Sequence, residues 1–336
     1  QETSSAGFSC REGRDTMSWL RNAAKRSMTA SIVITTKSRK EELRRALASC
    51  VEQEPPVEIV IIDDGSADGT SEIVRTEFPH VRLFQSDESK GYIVQRNRGA
   101  EMATGDLIFS LDDDAEFSSP HVVRQTLAAF DDPRIGAVTI PWKNVPDHQT
   151  LSDKAPQDEG VFVCRSYTGM AHAVRRDLFL RLGGYREFLL HGSEEIDFCM
   201  RLLDAGYVVR LGRADHVNHY ESKVRNVSRQ AHFAARNAVL FAWYNAPGLR
   251  LPIHWAGTVV HVLLYGLKNG YLWPRFRGLA DGFASCAKQR QARCPVSLTS
   301  YRLYRRLTRR GFLAISDMDR IPRVKEKPSR VEHEAA

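Results

Sequence analysis

Apolar residues in this chain fall into short runs separated by segments of helical spacing. Ser31-Ile32-Val33-Ile34-Thr35-Thr36 predicts a strand. Over residues 40–52, Leu43, Ala46, Leu47 and Cys50 recur at intervals of three and four, which predicts a helix that Pro55-Pro56 breaks. Residues 57–62 form a continuous apolar strand, followed by a helix at 69–77, a strand at 81–84, a helix at 93–103 and a strand at 107–111. Strands alternating with helices predict an α/β fold with a parallel sheet covered on both faces. Beyond residue 120 the pattern loosens into a helix at 121–130, a strand at 135–140, a polar loop at 143–160 and a strand-like stretch at 161–164. From Glu194 a helix runs to Ala205 with Phe198, Cys199, Leu202 and Leu203 facing inward, and Gly206 ends it. A strand at 207–211 and a long helix at 226–245, stopped by Pro247, complete the regular part. The most apolar run, 253–267, is too short for a membrane span of roughly 20 residues and predicts an interfacial or buried helix.

Composition narrows the class. The chain has 336 residues, 42% hydrophobic and 26% charged, as expected of a globular protein with room for a sizeable core. Its net charge is +7, but no acidic residue occurs between Asp281 and Asp317. That interval holds Lys288, Arg290, Arg293, Arg302, Arg305, Arg306, Arg309 and Arg310, which suits an anionic surface. Tyr301, Leu303, Tyr304 and Leu307 lie on one side of a helix at 301–310 with arginines around them, a pattern of helices that rest on anionic membranes; the alternatives are a basic face folded against the rest of the chain or a partner-binding helix. Cys10, Cys50, Cys164, Cys199, Cys286 and Cys294 show no metal-ligand spacing and are read as reduced packing thiols, which fits a cytoplasmic location. Residues 1–28 read as an N-terminal extension without regular periodicity.

Candidate chemistry sits at strand ends. Asp112, Asp113 and Asp114 directly follow the apolar run 107–111. Three adjacent carboxylates repel one another and demand a counter-charge, for which a divalent cation that prefers oxygen is the natural partner. The alternative is an acidic turn that caps the next segment. Asp63-Asp64-Gly65-Ser66 ends a second strand, where it also makes a good turn and helix cap. Ligands of parallel α/β sheets bind beyond the carboxyl ends of the strands, and both clusters lie there.

Five elements in order resemble the nucleotide-sugar-dependent family-2 glycosyltransferases with the GT-A fold. They are the first strand with Thr35 and Arg39; Ile62-Asp63-Asp64-Gly65-Ser66-Ala67-Asp68-Gly69-Thr70; Gly91 with Arg96-Asn97-Arg98-Gly99 and Ala103-Thr104-Gly105-Asp106; Leu111-Asp112-Asp113-Asp114; and Glu194-Glu195-Ile196-Asp197 with Arg201 and Ala205-Gly206-Tyr207. The resemblance implies a GT-A (Rossmann-like), mostly parallel central sheet flanked by helices. The catalytic domain would span 29–245, and 246–336 would be a helical, basic, membrane-associating extension. It implies that Asp64 accepts a hydrogen bond from the nucleotide base beside Thr35, that Arg39, Lys90 and Arg96 bind the donor, and that Asp112 or Asp113 contacts the ribose or orders the metal's water. Asp114, with His219 or else His216, would hold Mn²⁺ or Mg²⁺. Glu195, where the family usually carries Asp, would be the general base, with Glu194 or Asp197 in support. Trp142, His172 and His191 would line an acceptor pocket. The implied reaction is an inverting transfer from a nucleoside-diphosphate sugar to a glycan or lipid-linked acceptor at the inner face of a membrane. The competing readings are a non-catalytic nucleotide- or glycan-binding scaffold and a sugar-nucleotide nucleotidyltransferase, although Thr35-Thr36-Lys37-Ser38-Arg39 lacks the glycine-rich loop of the latter. Nucleic-acid binding would rest on the basic segment alone and is not expected.

Overall fold

The computed structural model describes residues 28–145, 150–220, 226–288 and 293–318. The expected extension before Met28, together with Cys10 and Arg290, lies outside the described residues. The first half of the chain runs β1 (Ala30–Thr36), α1 (Lys40–Val51), β2 (Glu58–Asp63), α2 (Thr70–Glu77), β3 (Arg82–Gln85), α3 (Tyr92–Met102), β4 (Leu107–Leu111), β5 (Ala115–Phe117), α4 (Val122–Leu127), β6 (Ile135–Thr139) and β7 (Trp142–Asn144). It continues with β8 (Phe162–Cys164), β9 (Ala171–Arg175), α5 (Arg176–Arg181), α6 (Glu194–Asp204), β10 (Val208–Arg210), β11 (Val217–His219), α7 (Val227–Asn245), α8 (Leu251–Asn269), α9 (Leu272–Lys288), α10 (Leu298–Arg310) and β12 (Phe312–Ala314).

Nine strands form one sheet in the order β12-β8-β10-β6-β9-β4-β1-β2-β3. The run β3-β2-β1-β4 is wholly parallel, as the early alternation predicts. β9 then pairs antiparallel with both β4 and β6, and of the remaining pairs only β6–β10 is parallel, so the other half of the sheet is mixed. Alternate side chains of the parallel strands enter two cores. Ile32, Ile34, Ile61, Phe109 and Leu111 pack with Leu43 and Leu47 of α1 on one face. Val33, Val60, Ile62 and Ile108 pack with Ile93 and Ala100 of α3 on the other. Each such buried side chain contributes roughly 1.5–3 kcal/mol. α3 lies so near β1 that a Cβ on Gly99 would come 2.3 Å from Val33 Cγ1, which explains the glycine there.

A second sheet of three short strands, β5-β11-β7, stands next to the carboxyl end of β4. These strands are too short for their periodicity to be read in sequence. The region after residue 245, expected as a separate extension, belongs to the same body. α9 lies against α7, where a Cβ on Gly278 would fall 2.1 Å from the His232 carbonyl oxygen. β12 adds an antiparallel edge strand beside β8. The apolar side of α10 is also not free to meet a membrane, because Tyr301, Leu303, Tyr304 and Leu307 are buried in the main core.

Candidate active site

The ends of β1, β2 and β4 bring the two acidic clusters to one edge of the parallel half. Asp63 is fully buried, accepting from the Ser66 amide at 2.9 Å and from the Ser71 hydroxyl, so it builds the turn into α2. Asp64 accepts from Ser89 Oγ at 2.6 Å, the Lys90 amide at 2.7 Å, the Gly91 amide at 3.1 Å and Gln95 Nε2 at 2.6 Å. Burial raises its pKa, but these four donors outweigh it and hold the carboxyl below its ordinary value. Four donors fill the four lone-pair positions of a carboxylate. Asp64 therefore fixes the loop 86–91, and a base N–H would have to displace one of its partners. Lys90 joins this network through its backbone while the residue itself is exposed. Thr35 is half-buried at the last but one position of β1.

Arg39 and Arg96 answer the charge of the three consecutive acids. Arg39 Nη1 donates to Asp113 Oδ1 at 3.0 Å and Asp114 Oδ2 at 2.8 Å, and Thr36 Oγ1 donates to Asp113 Oδ2 at 2.8 Å. Burial nevertheless pushes Asp113 up to about 7. Asp114 behaves oppositely: burial raises it, but His219 and Arg39 together bring it below its ordinary value. Arg96 Nη2 donates to Asp112 Oδ1 at 2.6 Å, while Nη1 lies 3.1 Å from Glu194 Oε1 and 3.4 Å from Glu195 Oε1. Its guanidinium also stacks over Tyr92, 4.9 Å from the ring centre. Both arginines, expected against a phosphorylated ligand, thus hold carboxylates of the site. Arg96 ties the end of β4 to the start of α6.

The small sheet delivers the histidine. β11 pairs with β5 and β7, and the Tyr220 amide donates to the Asp114 carbonyl at 2.8 Å, which places His219 beside Asp114. His219 Nδ1 donates to Asn144 Oδ1 at 2.6 Å, and Nε2 faces Asp114 Oδ1 at 3.5 Å. The Asn144 contact orients the ring and presents Nε2 to the carboxylate. One carboxylate oxygen and one imidazole nitrogen are a donor set that fits Mn²⁺ better than the oxygen-preferring Mg²⁺, with other positions left to phosphate oxygens and water. No group of three or more metal-ligating side chains occurs among the described residues. Trp142 meets the His219 ring edge-on at 6.3 Å and donates from Nε1 to Asp153, so it lines this end of the site.

Glu194 and Glu195 open α6. Burial and the neighbouring Glu194 carboxyl raise Glu195 to about 8 against the pull of Arg96. Glu194 is 1% exposed, and its Oε2 finds no hydrogen-bond partner apart from the carboxyl of Glu195. Asp197 is not part of this cluster. Its oxygens accept from Arg186 at 2.6 Å, Arg201 at 3.1 Å and Asn245 at 2.8 Å, so it anchors α6 to α7. His172 is buried behind Arg96, stacked on Tyr167 at 3.7 Å, and bonded to the Thr168 carbonyl and the Tyr185 hydroxyl. Burial lowers its pKa to about 3, so it stays neutral beneath the site. His191 packs edge-on against Tyr92 in the loop before α6. His216 lies one strand position before β11, and among the described contacts Asp114 pairs with His219 and not with it.

Two positioning residues were not legible in the sequence. Asn237 of α7 is fully buried, and its Nδ2 lies within 2.8–2.9 Å of the carbonyls of Leu189, His191 and Gly192. Gly169 lies against Glu195 and Arg96, since a Cβ there would fall 2.3 Å from Glu195 Oε1 and 2.9 Å from Arg96 Nη1. Its backbone forms one wall around both side chains.

Residues 31–180 match the Glycosyl transferase family 2 model. The glucosyl-dolichyl phosphate glucuronosyltransferase of Haloferax volcanii is 27% identical over 218 residues, covering 57% of this chain and 69% of that protein. The N-acetylglucosaminyl-diphospho-decaprenol L-rhamnosyltransferase of Mycobacterium tuberculosis is 24% identical over 269 residues, covering 67% and 87%. Matches at 32% identity to two other glycosyltransferases span only 34% and 31% of those proteins' lengths. Among solved structures, a mannosyltransferase from Pyrobaculum calidifontis in complex with GDP-Man and Mn²⁺ shares the fold with a TM-score of 0.54 and 20% identity, covering 85% of this chain and 81% of that one.

Proposed function

We propose that this chain, a member of glycosyl transferase family 2 with the GT-A fold, moves a sugar from a nucleoside diphosphate to a hydroxyl of a glycan or lipid-linked acceptor with inversion. The observation that carries this reading is the arrangement around Arg96, which gathers Asp112 of the triple-acid turn and the Glu194–Glu195 pair of α6 at one point. The lipid-linked acceptors named for the two relatives support an acceptor of that class.

The residues divide the work. Asp64 holds the loop 86–91 in shape beside Thr35, forming the end of the site that would receive the nucleotide. Asp114 and His219 would hold Mn²⁺ or Mg²⁺, with Asn144 fixing the imidazole. When bound, the cation supplies positive charge to the departing diphosphate. Arg39 and Arg96 are the cations available to exchange a carboxylate contact for a phosphate oxygen as the donor enters. Glu195 takes the proton of the acceptor hydroxyl as that oxygen bonds to the anomeric carbon and the bond to the diphosphate breaks. A carboxyl with a raised pKa makes a stronger base once ionised, so transfer would strengthen as pH rises toward that value.

Calorimetric titration with UDP, dTDP and GDP, each with and without Mn²⁺, tests the donor site. One nucleotide should bind in a metal-dependent way, Asp114→Ala should abolish that dependence, and Glu195→Gln should keep binding while transfer stops. Wild-type transfer by Glu195→Gln rejects the base, and no binding of any nucleotide by folded protein favours a scaffold.

A further inference from the structure

α8 and α10 enclose a groove of about 740 Å³, apart from the acidic site, to which Arg250, Arg302, Arg305, Arg306 and Arg309 contribute. No acidic side chain lines it, and none of these five arginines forms an ion pair with another described residue. Five guanidinium groups held together without a counter-charge repel one another, and an anionic partner removes that repulsion. Tyr301 bonds His254 at 2.9 Å across the groove floor, so its two walls are fixed relative to each other.

The groove borders an apolar ridge. Ile253, Val260, Leu264 and Leu267 follow one another along α8 at helical spacing and are 57–68% exposed. The ridge extends to α9, where Trp273 and Phe276 are 64% and 51% exposed and stack on each other at 5.7 Å. Arg277 sits over the Trp273 ring and Arg275 over Tyr265. Proteins rarely leave such a contiguous apolar surface to water. Aromatic and aliphatic side chains bordered by arginines match the polarity gradient of a bilayer interface. No helix among the described residues is long and apolar enough to cross a membrane.

We propose that this face docks on an anionic phospholipid bilayer, with the arginine groove receiving phosphate headgroups and the α8–α9 ridge entering the acyl boundary. The apolar anchor is thus α8 and α9 rather than the buried stripe of α10. The proposal does not depend on sugar transfer, and its test uses no donor or acceptor.

The full chain is sedimented with phosphatidylcholine vesicles and with vesicles containing roughly 30 mol % phosphatidylglycerol at about 0.1 M salt. Binding to the anionic vesicles is expected to exceed binding to the neutral ones by at least about tenfold and to weaken as salt rises. Arg305→Glu with Arg309→Glu, and separately Leu264→Gln with Trp273→Gln, should each remove most of it; all four positions are exposed, so the folded far-UV signal should persist. Brominated acyl chains should quench tryptophan emission in the wild type, and Trp273→Phe should lose the quenched component. Equal binding to both vesicle types, or anionic binding that survives both double variants, overturns the proposal. So does a concentration-dependent dimer abolished by the same changes, or retention on nucleic acid without vesicle binding.

Discussion

At the residue scale, the unusual property is a carboxyl, proposed here as the base, that its own surroundings hold in the protonated form. Glu195 titrates at about 8 instead of 4.5 because of burial and the adjacent Glu194 carboxyl, with Arg96 pulling the other way. Between those two values the folded chain keeps a proton that the unfolded chain has released. Stability therefore falls as pH rises through that window. Glu195→Gln has no such proton to lose. Its melting temperature should match the wild type near the acid end of the window and exceed it near the alkaline end. Transfer by the wild type should rise with pH over the same interval, because only the ionised carboxyl accepts a proton. A melting-temperature difference that does not vary with pH would rule out this electrostatic account.

At the element scale, the start of α6 depends on a loop that local sequence does not favour. Leu190 and Ser193 adopt left-handed backbone angles with φ of 61° and 73°, and Ser193 gives α6 no side-chain cap. Non-glycine residues hold that conformation only when the surroundings impose it. Asn237, reaching from α7 to three carbonyls of this loop, is the imposing contact. Asn237→Ala removes this donor from the His191 and Gly192 carbonyls, while the Leu189 carbonyl keeps the His191 amide at 2.7 Å, at a cost of roughly 1–3 kcal/mol. The expected result is a lower melting temperature and a fall in kcat with nucleotide binding retained, because Asp64 and Asp114 lie on other elements. Unchanged kcat in the folded variant would show that the loop holds its shape unaided. The sequence reveals α6 readily, through its apolar spacing and acidic first turn, but not its support. A single asparagine in a long helix looks no different whether it faces solvent or pins a loop 45 residues earlier. Asp197 shows the same limit in reverse: it shares the acidic first turn, yet the helical twist points it to Arg186 and Arg201.

At the scale of the whole molecule, the parallel half was legible because its strands are long apolar runs and its helices repeat at regular spacing. The mixed half was legible in part: strands were expected at 135–140, 161–164 and 207–211, where β6, β8 and β10 lie, but β9 and β12 were not, and the pairing was hidden because these short strands acquire their partners from distant parts of the chain. The C-terminal region joins the same core and sheet edge through these late contacts. The basic composition of the C-terminal region reflects its outer surface, whereas its inner surface completes the core and the sheet edge. Tyr301, Leu303, Tyr304, Leu307 and Leu313 are each at most 8% exposed. Their burial contributes roughly 8–15 kcal/mol, comparable with the total stability of about 5–15 kcal/mol that holds a typical fold together. A chain ended before Pro295 should therefore lose cooperative thermal unfolding and nucleotide binding together, instead of yielding an active catalytic domain. Leu307→Ala is the milder version. It should cost about 2–5 kcal/mol and lower the melting temperature while leaving the distant Asp114–His219 pair intact. A shortened chain that melts cooperatively at the wild-type temperature would show that α10 and β12 are an appendage after all. Retention of binding by Leu307→Ala, set beside its loss in the shortened chain, would place the dependence in the fold instead of in any contact between α10 and the donor.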